Sequence, residues 1–107
     1  MTAPLYQGDV ALIPVVSIPA GAREVPRDHG HLVLAYGEVT GHAHVIDAPP
    51  SEATLLTDAE QRTFLRLVSD APLVHEEHGR IELSAGTYRV IRQREWLYGE
   101  GERRVAD

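Results

Sequence analysis

Turn-forming residues recur along this chain at intervals too short for helices to settle, and that spacing constrains the fold more than any other feature. Gly8-Asp9, Pro19, Gly21, Pro26, Gly30, Pro49-Pro50, Gly79 and Gly86 cut the sequence into short runs of aliphatic and β-branched residues. Runs of that length, bounded by turn residues, are the signature of strands. "GDVALIPVV", residues 8–16, reads as a strand opened by a Gly-Asp turn, and Pro14, lacking a ladder donor, suggests an edge or a bulge. "SIPAGAREVPRDHG", residues 17–30, reads as a loop. "HLVLAY" and "EVTGHAHVI" then read as neighbouring strands, turned or bulged at Gly37, and "DAPPSE" is a break.

Further on, "APLVHEEHG" reads as a short strand running into a turn. "RIEL" puts Ile81 and Leu83 on one face and Glu82 on the other. "TYRVIRQREW" reads as a long strand with Tyr88 and Val90 facing one way and Arg89, Ile91 and Gln93 the other. Residues 53–68, "ATLLTDAEQRTFLRLV", admit two readings. Thr57 and Glu60 match a helical capping box, with Phe64, Leu65, Leu67 and Val68 sharing a helical face. Alternatively, "ATLL" and "RTFLRLV" are two strands joined by "TDAEQ", and the strand-like surroundings favour this reading. The expectation is all-β: one domain over residues 1–107, a small barrel or sandwich of about eight short strands. A short helix near 57–68 is the fallback, and a short C-terminal arm covers about 96–107.

At 107 residues the chain is the size of a single domain and can bury a real core. Without cysteine, disulfides, thiolate zinc sites and cysteine nucleophiles are excluded. No apolar run approaches the roughly 20 residues of a membrane helix, and the N-terminal residues lack the basic and apolar regions of a signal peptide. A cytoplasmic protein with no membrane partner is expected. The formal charge of −6 argues against a sequence-independent grip on phosphates, so nucleic acid is not an expected partner. All ten cations are arginine, and five of them fall in residues 87–107. Trp96 and Tyr98 beside Arg92 and Arg94 read as a strand end packing on the core rather than as a base-stacking platform. Neither an elbow motif around Thr40 or Ser84 nor a Gly-rich phosphate loop is present.

Chemistry concentrates in histidine. Of six, His42 and His44 stand two apart on an expected strand, where alternate side chains share a face. That face would carry Glu38, Thr40, His42, His44 and Ile46 and be open to water or turned into a barrel mouth. Val39, Ala43 and Val45 read as the core face. His75 and His78 flank "EE" at an expected turn and could supply further ligands. Imidazole suits zinc, iron, nickel, manganese or copper, and Glu38, Glu76 and Glu77 could add a carboxylate ligand or orient one. His29 and His31 lie in a Pro/Gly-rich loop and are left out of the set.

"GHAH" on a strand, followed by "HEEHGRIELSAGTYRV", resembles the metal motifs of the cupin superfamily, with His42 and His44 standing as its His-x-His pair. The resemblance implies a small β-barrel that holds a divalent metal through that pair, a glutamate and a further histidine. The pattern from "GEVTGHAH" through "RVIRQRE" also resembles an uncharacterised bacterial and phage family.

The leading expectation is one divalent transition metal held by His42, His44, His75 and His78. Four histidines would make a structural or sensing site. Three would leave a position for water or substrate, and the chemistry would then be hydrolytic or oxygen-dependent. The rival is a metal-free interaction module binding a protein partner through a sheet edge and the C-terminal arm; a pH-responsive surface is a third reading. Exposed strand edges also suggest a homodimer.

Overall fold

The computed structural model describes residues 3–36, 43–76 and 79–92. His42, His78 and the arm at about 96–107 lie outside the described residues, as do Glu38, Val39, Thr40 and Gln93. Within them the chain is strand, turn and loop, with no helix. In order come β1 (Leu5–Gln7), β2 (Val10–Val15), β3 (Arg23–Glu24), β4 (Leu32–Tyr36) and β5 (Ala43–Ile46). They are followed by β6 (Ala53–Thr57), β7 (Thr63–Leu67), β8 (Ala71–Val74), β9 (Ile81–Leu83) and β10 (Gly86–Arg92). Two antiparallel sheets result, one of six strands ordered β1-β2-β10-β7-β6-β3 and one of four ordered β4-β5-β8-β9. They pack as a sandwich rather than closing into a barrel.

The core lies between the sheets and is built by strand parity. Val10 and Leu12 of β2, Leu65 and Leu67 of β7, and Tyr88 and Val90 of β10 face Leu32, Leu34, Ile46, Leu73 and Leu83 across the gap, all of them buried. The inward set of β10, Tyr88 and Val90, is the one expected from its alternation, as is the burial of Leu83 with Glu82 exposed.

Residues 57–68 are strand and turn. Asp58, only 5 % exposed at its side chain, closes the β6–β7 hairpin: its carboxylate accepts from the Glu60 and Arg62 amides and from the Arg62 guanidinium at 2.7 Å. The capping-box helix loses because both flanks of this turn are already committed to sheet pairing, from Thr57↔Thr63 to Ala53↔Leu67.

Three expectations are corrected. Pro14 is not on an edge strand, since β2 lies between β1 and β10. It is tolerated because β1 stops opposite Leu12, leaving no partner strand on that flank of Pro14. That flank of β2 past Leu12 is thus locally open, although among the described residues the outer strands of the sheets are β1, β3, β4 and β9. The loop 17–30 contains the two-residue β3, paired to β6. Finally, the faces of β5 are reversed. His44 and Ile46 point into the core at 2 % and 1 % exposure, whereas Ala43 and Val45 are half-buried. Ile46 shares parity with His44, and a strand inside a covered sheet cannot bury one without the other.

Candidate functional site

Gly8-Asp9 forms a two-residue hairpin turn between β1 and β2, with Gln7 opposite Val10. Gly8 has φ 58, the left-handed value that glycine accepts without strain at the first position of a tight hairpin turn. The turn fixes the parity of β1, which sends Gln7 inward to 2 % exposure. Its amide nitrogen donates to the Leu73 carbonyl at 3.0 Å and the Gly79 carbonyl at 2.7 Å. Both partners can only accept, so the other end of the amide is unambiguously the oxygen.

That oxygen lies 2.8 Å from His44 Nδ1. The imidazole must therefore donate through Nδ1–H, and in the neutral ring the lone pair resides on Nε2. Nε2 faces Asp9 Oδ1 at 3.5 Å, across the mouth of the β1–β2 turn. A ring nitrogen this close to a carboxylate oxygen would suit a proton on Nε2 or a cation held between the two. His75, just past β8 and half-exposed, places its ring centroid 4.2 Å from that of His44, at 31° between planes. Beside it, Glu76 Oε1 accepts from the Ala43 amide at 3.3 Å.

Of the four histidines expected at a metal, the structure brings together His44 and His75; His42 and His78 are not among the described residues. No three histidine, aspartate or glutamate side chains converge as a metal site among the described residues. Gln7 and Asp9 are the members of this cluster that sequence reasoning missed. The signal available was weak: a Leu-Tyr-Gln alternation before Gly-Asp, in which glutamine occupies the inward position.

A register shift between Val33 and Ala35 makes Leu34 a bulge opposite this cluster. The bulge removes the Leu34 carbonyl from the regular ladder, and it accepts instead from Arg92 Nε at 2.9 Å, joining the two sheets. Arg92 lies opposite Val10, and Tyr36 opposite Ala43, so the turn, the histidines and Arg92 all sit at one end of the sandwich. At the same end, His29 and Tyr36 both donate to Asp28, His29 from 2.7 Å. The Tyr36 hydroxyl first, and then the His29 ring, hold the Asp28 carboxyl below the usual carboxylate range, while Asp28 raises Tyr36.

No curated protein and no solved structure matches the chain. The model of a family described as a domain of unknown function (DUF8820) matches residues 6–93, a span that takes in Gln7, Asp9, His44, His75 and the core of both sheets, and the chain belongs to that family.

Proposed function

We propose that this domain binds one divalent transition metal at the His44 cluster. The observation that carries the reading is the 3.5 Å separation of His44 Nε2 from Asp9 Oδ1. Two donor atoms bound at about 2.0–2.2 Å to a tetrahedral ion stand about 3.4 Å apart. Gln7 supplies what such a ligand requires on its other side, an acceptor that fixes the tautomer and the ring plane. His75 is the third candidate ligand, and a turn of its half-exposed ring about its side-chain torsions would direct a nitrogen to the same ion. His42 and His78, two and three positions along the chain from these, complete the donor set that the sequence offers. The resemblance of "GHAH" to the cupin His-x-His pair points the same way.

The test is elemental analysis of the untagged protein, with melting followed in added zinc, nickel and manganese. One ion per chain is expected, with a stabilisation of about 2.7 kcal/mol at a hundredfold excess over Kd. Because His44 is buried, Asp9→Asn and His75→Gln are the informative variants. Each is expected to weaken binding by more than the roughly 10- to 100-fold that loss of an outer-shell partner brings, while the metal-free protein melts near the wild-type temperature. Absence of both stoichiometric metal and any metal-dependent rise in melting temperature would sink the proposal.

A second reading rests on the same 3.5 Å contact. A proton on Nε2 in place of a metal would make His44 and Asp9 an ion pair, and the cluster a pH-sensitive element. Stability would then respond to pH through His44 in the absence of metal and be indifferent to zinc.

A further inference from the structure

Beside the histidine cluster, the same end of the sandwich holds a cavity of about 420 Å³ bounded by residues from β4, β6, β7 and β10, the loop after β3 and the β6–β7 turn. A smaller one of about 270 Å³ adjoins it. The larger is on the scale of small-molecule sites. Its floor is apolar, made by Val25, Leu32 and Leu55.

The wall common to both cavities includes Arg27, a half-buried guanidinium. Arg27 donates to the Gly30 carbonyl at 3.3 Å and the Ala53 carbonyl at 3.1 Å. These are neutral acceptors, which orient the group without cancelling its charge. Asp28, the acid lining the larger cavity, has one oxygen engaged by His29 and the other by Tyr36. Arg92, steered by its bond to the Leu34 carbonyl, brings a second guanidinium to the lining. Two arginines around an apolar floor, in a chain of net charge −6, set this cavity apart from the acidic remainder of the molecule.

We infer that this cavity binds a small carboxylate bearing an apolar body, with Arg27 as the anion's anchor. The planar guanidinium fork matches a carboxylate in two parallel hydrogen bonds. The apolar floor requires a hydrophobic body behind the charge and is a poor host for a strongly hydrated dianion such as inorganic phosphate. The site is separate from the histidine cluster and needs no metal.

The test uses phenylacetate as the probe, phenylacetamide as its neutral counterpart, and amide chemical shifts of the full chain as the readout. Phenylacetate is expected to shift Val33, Thr57 and Gln61 saturably. Phenylacetamide should bind about tenfold more weakly or less, the worth of one charge-assisted hydrogen bond. Arg27→Gln should lose a similar factor. Thr57→Trp, which fills the mouth while keeping Arg27, should lose binding as well, and it decides the matter if Arg27→Gln fails to fold. Equal affinity for acid and amide, undiminished binding by both variants, or shifts centred on Gln7 and His44 would each overturn the inference.

Discussion

Gln7 shows how much one buried polar side chain can settle. It satisfies two backbone carbonyls and one imidazole at once, and nothing apolar of its size could do any of the three. Gln7→Leu should therefore cost about 1–3 kcal/mol, the penalty of leaving buried partners without hydrogen bonds. Urea unfolding with an unchanged m-value would register it, and a loss below about 0.5 kcal/mol would show that water replaces the amide. Gln7→Glu should be worse than isosteric shape suggests, because a carboxylate cannot donate to Leu73 and Gly79. At this scale the sequence was only partly legible. The pairing of His44 with Ile46 on one face followed from period two, but which face was inside did not. Deciding that needed the partner, and Gln7 stands 37 residues away along the chain. A histidine is read as solvent-facing by default, since burial of an imidazole is favourable only where such a partner exists.

Elements were more legible than residues. β10 alternates through Tyr88 and Val90, and β7 from Leu65 to Leu67 with Phe64 buried on the other parity; both appear in the expected parity. β1 and β3, three and two residues long, are too short for any periodicity and owe their existence to pairing with β2 and β6. Packing at this scale makes a clear contrast. Leu65→Ala, at a fully buried position in β7, should cost about 2–5 kcal/mol, whereas Val16→Ala, fully exposed, should fall within about 0.5 kcal/mol of wild type. Comparable losses from the two would contradict the two-sheet core. The β6–β7 hairpin should also respond to acid. Burial alone would raise the Asp58 carboxyl, but the Arg62 amide and guanidinium and the Glu60 amide outweigh it, so its pKa is lowered in the fold. Its contribution is present above the unfolded value of about 3.9 and is lost as pH falls through the lower folded value. The melting-temperature gap between wild type and Asp58→Asn should thus hold above about pH 5 and narrow as the pH falls through the unfolded value of about 3.9 and then the lower folded one; a gap that widens on acidification would reverse the sign.

Across the whole molecule, far-UV circular dichroism should report strand with little helix; a helical share near the globular average of about one third would contradict the sandwich. The all-β class was legible because turn chemistry is local. The choice of sandwich over barrel was not, because it depends on which distant strands pair. β10 carries the most consequential of those pairings, lying between β2 and β7 in the larger sheet, with Val90 opposite Leu12. A ribosome that has made the chain as far as residue 85 has synthesised every other strand of that sheet without the one that joins its halves. At about 5–20 residues per second, β2 waits several seconds with an open flank. Chains halted before Gly86 should be protease-sensitive and prone to clump, and those halted after Arg92, once clear of the exit tunnel, should resist digestion. Resistance gained earlier would mean that the two halves stand without their keystone.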